Sequence, residues 1–358
     1  MNGKQLAVLL AVIGAAAVLL NVNNSSNVSE FESWKAKHGI IFASEFENAY
    51  RERIFLENLA KINSHNSNPY KTYEQGLNQF SALTTEEFSQ QYLGTIVHES
   101  SNNIEDNDYE VIGNIDWVSA GAVTAVKNQG QCGSCWAFSA TGGLEGLSKL
   151  KDGTLGNFSE QQLVDCSGSY GNQACNGGLM DNAFKFVKDN GITDESKYPY
   201  KAVKQTCTMK TGDFKITGYT DIKSCADLAQ QLANRPISVA VDATNWSPYK
   251  SGVFNNCKTS LNHGVLLVGT DGSNWVVKNS WGASWGEKGF ITLNQGNTCG
   301  ICNAASFPTK WFRSHLIIPF LIEIKDMKIQ IYHQGRNRLF LKVIIDYIFI
   351  IMFMKSCD

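Results

Sequence analysis

Histidine is scarce in this chain, with six in 358 residues, and between residues 111 and 310 there is only His263. Any cysteine-histidine pair in that stretch therefore has a single candidate base. No run of lysine and arginine occurs, and the net charge of −2 gives no reason to expect a nucleic-acid partner. Long apolar runs are missing as well. The run from Leu6 to Leu20 falls short of the ~20 residues a membrane-spanning helix needs. Preceded by Lys4 and followed by an Asn/Ser stretch, it reads as a secretory signal peptide over residues 1–22. Apart from Cys132-x2-Cys135, which belongs to the motif described below, Cys299-x2-Cys302 stands alone at zinc-site spacing, so neither a metal nor a cofactor is expected.

Cysteine, by contrast, is plentiful, with ten residues. In a secreted chain they are read as disulfide pairs plus a free nucleophile. The nucleophile is found in Gln129-Gly130-Gln131-Cys132-Gly133-Ser134-Cys135-Trp136. Downstream, Ala137, Ala140, Leu144, Leu147 and Leu150 recur at helical spacing, which places Cys135 in the first turn of a helix. The positive end of the helix dipole favours the thiolate, the only form of cysteine that attacks. Asn262-His263-Gly264 and Lys278-Asn279-Ser280-Trp281-Gly282 follow at a distance. Singly, a cysteine is more often a small buried hydrophobe and a histidine a satisfied polar group; the joint pattern reverses that weighting.

Cys132-Gly133-Ser134-Cys135-Trp136, with His263 lying 128 and Asn279 144 residues beyond Cys135, resembles the papain family of cysteine peptidases. The resemblance implies that Cys135 is the nucleophile, His263 the general base and acid, and Asn279 the group that holds the His263 ring in its productive tautomer. It makes Gln129 an oxyanion donor together with the Cys135 N–H, and Trp281 a cover over the His263-Asn279 bond. Gly133, Gly177 and Gly178 would leave backbone open to an extended substrate. The segment Cys175 to Asp181 is closest to the cathepsin L branch, which implies a pocket for the second residue before the cut made of Leu179, Met180, Ala240, Leu261 and Ala304. All five are apolar, so Leu, Phe or Val should be preferred there. Asn262 stands where that family usually has Asp. An exopeptidase of the cathepsin B type would need further histidines to hold a C-terminal carboxylate, and none is present in residues 111–310. The expected activity is that of an endopeptidase; the alternative, a homologue that binds without catalysis, commonly lacks the nucleophile.

The fold class implied is α+β, a papain-like fold of two subdomains with the cleft between them, over residues 111–310. Residues 134–190 are helix-patterned, and Ser159 to Leu163 has the spacing of a capping box. Ile237–Val241, Val265–Val268, Trp275–Val277 and Phe290–Leu293 read as strands. By resemblance, Cys132 pairs with Cys175, Cys166 with Cys207 and Cys257 with Cys299. The leftover Cys225 and Cys302 are expected to form a fourth bridge, with Cys302 an open alternative partner for Cys257.

Residues 23–110 form a separate, cysteine-free unit carrying 14 acidic and 6 basic residues, a net of −8, against 15 and 17, a net of +2, in residues 111–310. Glu47, Arg51, Phe55, Asn58, Ile62 and Asn66 lie on one helical face. This stripe, and Gly76 to Ala82 after it, resemble the inhibitory prosegment of cathepsin L-like peptidases, so the stripe is expected to pack on the cleft. Ala82 replaces the usual Asp, removing one carboxylate from any acid-sensing role. The partners implied are polypeptide substrates, the chain's own prosegment and cystatin-like inhibitors, acting on a monomer in the secretory route, either lysosomal or extracellular. Asn157 and Asn245 begin Asn-x-Ser sequons. Residues 311–358 are left unassigned. Val343 to Met354 is apolar but short and broken by Asp346, and an error in the reading frame is favoured over an interfacial anchor.

Overall fold

A computed structural model describes residues 29–96 and 113–310. The signal-peptide reading, the expected processing point near Val111, and residues 311–358 with Cys357 lie outside the described residues.

The unit read as a prosegment, so labelled below, begins with helix α1 over residues 29–38 and continues with α2 (Glu45–Asn66), strand β1 (Tyr73–Gln75) and α3 (Thr85–Tyr92). Ser44 caps α2 by accepting from the Glu47 N–H. At α3, Thr84 and Glu87 form a full capping box. Phe31, Trp34, Phe55, Leu59 and Ala82 make a small core of their own. The polar members of the α2 stripe do not reach the cleft, contrary to the expectation above. Arg51 donates to the Ala82 carbonyl and to Glu87, Asn58 to the Ser81 and Leu83 carbonyls, and Asn66 pairs with both backbone groups of Gln75. The stripe thus fixes the prosegment's own return segment, because backbone groups withdrawn from water there need partners and the polar side chains of α2 supply them.

The unit expected to carry the catalysis opens with β2 (Ile115–Asp116) and is built on α4 (Cys135–Asp152), a helix buried over its first fourteen residues. Helices α5 (Glu160–Cys166) and α6 (Met180–Asn190) pack beside it. The expected capping box at Ser159 is only half made. Ser159 accepts from the Gln162 N–H, but the Gln162 side chain is drawn off to the Thr193 N–H and the Lys210 carbonyl. Beyond lie β3 (Gly218–Ile222), α7 (Cys225–Leu232), β4 (Ile237–Val241), β5 (Tyr249–Phe254), β6 (His263–Thr270), β7 (Asn274–Lys278), β8 (Phe290–Asn294) and β9 (Ala305–Thr309). The strand order is β1-β5-β8-β7-β6-β4-β9-β3, with β2 on β6. Strand β1 comes from the prosegment, pairing Tyr73 with Gly252. Four disulfides are present, Cys132–Cys175, Cys166–Cys207, Cys225–Cys302 and Cys257–Cys299.

The helical half meets the β half where α4 crosses β6. There Gly142 and Gly264 permit close approach: a Cβ on Gly142 would sit 2.8 Å from Leu266 Cδ2, and one on Gly264 3.1 Å from Trp136 Cα. Ser139 donates to the Val265 carbonyl, and Ser238 to the Ser139 carbonyl. These contacts bring the start of α4 against the start of β6, and so Cys135 against His263.

Candidate active site

Cys135 opens α4, where the first N–H groups have no intrahelical partner. His263 begins β6, and antiparallel pairing of Leu266 with Lys278 brings Asn279 alongside it. The His263 Nε2 to Asn279 Oδ1 distance is 2.8 Å. Asn279 Oδ1 can only accept, so Nε2 carries the proton and Nδ1 is free to take one. Nδ1 has no hydrogen-bond partner of its own, and the imidazole faces the Cys135 thiol. Burial pushes that thiol up. The positive charge of the adjacent His263 imidazole, with smaller help from the Thr95 hydroxyl and the Gly264 backbone, outweighs burial and brings it from 9.0 down to about 7. Trp281 stacks on the His263 ring at 4.6 Å between centroids and is itself 1 % exposed, so the His263-Asn279 pair is shut off from water.

Gln129 is fully buried and held on both sides. Its Oε1 accepts from the Ser280 hydroxyl at 2.8 Å, which directs Nε2 the other way. Ser280 also donates its N–H to Asn279 Oδ1. Nε2 donates to the Cys132 carbonyl at 2.8 Å and to the prosegment carbonyl of Tyr92 at 2.9 Å.

The cleft is filled by the prosegment. Gly178 donates to the Gly94 carbonyl at 2.8 Å, Ile96 to the Gly178 carbonyl at 2.9 Å, and Thr95 to the Asn262 carbonyl at 3.0 Å. The Thr95 hydroxyl lies 3.4 Å from Cys135 Sγ. Gly94 packs backbone to backbone on Gly133. Upstream, Phe80 and Phe88 set their edges on Trp281 at 5.5 and 5.1 Å, and Gln79 donates to the Trp281 carbonyl. Asn78 reaches the Ser247 carbonyl. Cys135 is the one free cysteine among the described residues, and it is buried.

Of the residues expected to line the second-residue pocket, Met180 and Ala240 are buried in the apolar cluster beside α4, and Leu261 and Ala304 pack against it. Ala240 and Ala304 are joined by a backbone hydrogen bond of 2.8 Å. Leu179 stands apart from that cluster as the extended residue before α6, its N–H bonded to Asn172. Asn262 uses its amide to hold Ala243 and Thr244 in the neighbouring loop.

Sequence reasoning passed over Ser280, although it sits inside the quoted motif, and over Thr95 and Tyr92, which carry no chemical signature. Beneath the site lies a buried cluster. Lys127 contacts Glu145 at 2.9 Å and Glu160 at 2.7 Å, while Lys278 reaches Thr124 at 3.0 Å. Burial pushes Glu160 up and Lys278 down, Lys278 to about 8.

Residues 111–309 match the papain family cysteine protease family, and residues 31–88 match the cathepsin propeptide inhibitor domain. The chain belongs to the papain family of cysteine proteases. Among curated relatives, Cathepsin L 2 of Paramecium tetraurelia is 43 % identical over 315 residues, covering 84 % of this chain and 99 % of the relative. Cathepsin L of Sarcophaga peregrina is 40 % identical over 335 residues, again 84 % and 99 %. Among solved structures, digestive procathepsin L 3 of the Tenebrio molitor larval midgut aligns with TM-score 0.70 at 38 % identity, covering 79 % of this chain and 99 % of that one. The recombinant stem bromelain precursor gives 0.72, also at 38 %, with 80 % and 99 % covered. This papain-family chain is accordingly a cathepsin L-like cysteine protease made as a proenzyme, with its own prosegment as inhibitor.

Proposed function

We propose that the processed enzyme is an endopeptidase using Cys135, His263 and Asn279 in an acyl-enzyme mechanism. The Cys135 thiolate attacks the scissile carbonyl carbon, and the oxyanion is received by Gln129 Nε2 and the Cys135 N–H. His263 passes its proton to the leaving amine as the C–N bond breaks. It then takes a proton from water, whose hydroxide attacks the thioester and releases the thiolate. The observation that carries this reading is the imidazole between the Asn279 oxygen at 2.8 Å and a thiol brought down to about 7. Gly178 is proposed as the substrate's backbone partner, on the ground that the prosegment uses both its N–H and its carbonyl in this way.

Leu179, Met180, Ala240, Leu261 and Ala304 are proposed to line the second-residue pocket. A fluorogenic dipeptidyl-amide panel tests both mechanism and pocket. Leu, Phe or Val at the second position should be cut at least about 100-fold better than Lys or Glu, since an unpaired buried charge costs several kcal/mol. Equal turnover of charged and apolar substrates would remove the pocket; no turnover at all, in protein processed and free of its prosegment, would leave the inert-homologue reading.

Acid activation is proposed on the same footing. Prosegment and catalytic unit carry net charges of −8 and +2. Burial raises Glu87, but hydrogen bonds from the Thr84 N–H and from Arg51, together with the Arg51 charge, bring it below its ordinary 4.5. A depressed carboxylate stabilises the fold fully above its ordinary value, and that support is lost as pH falls through the lowered one. Arg51-Glu87 ties α2 to α3, whose Phe88 sits on Trp281. Purified precursor should therefore stay inhibited near neutrality and process itself near Val111 once the pH drops below about 4.5. Glu87→Gln should process at higher pH with a shallower pH dependence, and Cys135→Ala should not process. Equal processing at neutral and acid pH would refute the switch.

The four disulfides support passage through the secretory route to a lysosome-like compartment or the exterior. Cystatin-like inhibitors and a monomeric state complete the reading.

A further inference from the structure

Tyr200 belongs to neither the triad nor the prosegment, yet its phenol meets two segments of the site at once. Its hydroxyl lies 2.7 Å from the Gln129 carbonyl oxygen and 2.5 Å from Ser134 Oγ. A carbonyl can only accept, so the single phenolic proton goes to Gln129 and Ser134 must donate to the phenol. Ser134 is the N-cap residue of α4, and its side chain makes no cap hydrogen bond; a serine at that position ordinarily bonds the N–H of the second or third helical residue. Here its hydroxyl is spent on Tyr200 instead.

The phenol is itself well anchored. Its ring meets Phe138 edge-on at 4.9 Å, and its N–H is bonded to Glu195. Two residues on, Ala202 holds φ +56, a conformation that costs a residue with a Cβ about 1 kcal/mol or more. That turn lies against Gly130, where an added Cβ would come within 3.1 Å of Ala202 Cβ. The strained turn therefore backs the loop that runs from Gln129 to Cys135.

We propose that Tyr200 is a positioning residue for the oxyanion donors. One hydroxyl bolts the backbone of Gln129, whose amide is the first donor, to Ser134, whose neighbour Cys135 supplies the second. The distance between the two donors is thereby set from behind, without contact with substrate. The inference rests on the oxyanion role of Gln129 proposed above. Fixed donors stabilise charge that exists only in the transition state, so loosening them lowers kcat and spares KM.

The test compares processed Tyr200→Phe, Ser134→Ala, Gln129→Ala and the Tyr200→Phe/Gln129→Ala pair. Rates are taken per active site titrated with a thiol-reactive epoxide, so that misfolded protein does not count. Tyr200→Phe keeps the ring against Phe138, removes both hydrogen bonds of the hydroxyl, and should lower kcat about tenfold with KM within about twofold. Ser134→Ala should move kcat in the same direction, and serves alone should Tyr200→Phe fail to fold. In the Gln129→Ala background the Tyr200→Phe effect should shrink to less than about twofold, because the donor it positions is gone. Unchanged kcat in Tyr200→Phe, a loss confined to KM, or a full tenfold effect persisting without Gln129 would each overturn the proposal. Unchanged kcat in Gln129→Ala would instead overturn the oxyanion reading beneath it.

Discussion

Cys135→Ser and His263→Ala should each abolish peptidase activity, by about 10⁵-fold or more in kcat, since members of a nucleophile-base pair fail as a unit. Three features set that size. Cys135 is the free thiol among the described residues, it is brought to about 7, and His263 is the only imidazole between residues 111 and 310. A hydroxyl in place of the thiol forms no preformed anion at neutral pH, and this site is built around a thiolate. Asn279→Ala should retain a measurable remainder, because Asn279 orients the ring through its 2.8 Å hydrogen bond and transfers no proton. A thiol-reactive epoxide, followed by peptide mapping, should label Cys135 alone. Full activity in Cys135→Ser would sink the mechanism. Both variants are best assayed after removal of the prosegment by added active enzyme, which separates loss of catalysis from failure to process.

The second large effect is expected at a residue with no side chain. Gly94→Ala should release the prosegment from the cleft. A Cβ on Gly94 would lie 2.1 Å from the Gly133 carbonyl oxygen, and 2.6 and 2.7 Å from two further Gly133 backbone atoms. None of these can rotate away. The strip would have to lift, breaking the hydrogen bonds that Gly94, Thr95 and Ile96 make to Gly178 and Asn262. At about 1 kcal/mol each, three such bonds weaken inhibition by on the order of 100-fold. The measurement is inhibition of the mature enzyme by prosegment peptide supplied in trans, wild type against Gly94→Ala. The arm built from Phe80, Phe88 and Gln79 on Trp281 is untouched by this change, so the variant should still bind, outside the catalytic groove. Equal inhibition by the two peptides would show that the Gly94 strip contributes nothing to blockade.

The catalytic motifs were legible because each is short and chemically marked. The helix at Cys135 was legible for a similar reason, its apolar residues repeating at helical spacing. Four strands could be read from β-branched or apolar runs, and β4, β6, β7 and β8 lie at those places. The strands that escaped have weak signals. Strand β3 is Gly-Tyr-Thr-Asp-Ile and largely solvent-facing, β9 holds Pro308, and β1 is three residues long. Their pairing comes from partners distant in sequence, such as Tyr73 with Gly252, and no local pattern records it.

The α2 stripe shows the same limit from the other side. Its periodicity identified a face, but a face does not name its partner. Arg51, Asn58 and Asn66 satisfy backbone within the prosegment, and the cleft is closed by Tyr92 to Ile96, which no motif singled out. By itself the sequence supplied the parts of the proposed chemistry: a thiol at a helix start, one imidazole between residues 111 and 310, an amide to hold it, and apolar residues for the proposed pocket. These are properties of residue types and their near neighbours. Tertiary structure decided what stands in the groove, why Gly94 admits no side chain, and how one phenol joins Gln129 to Ser134. Those outcomes depend on groups distant in sequence, many of them backbone groups with no residue signature, being brought together by packing.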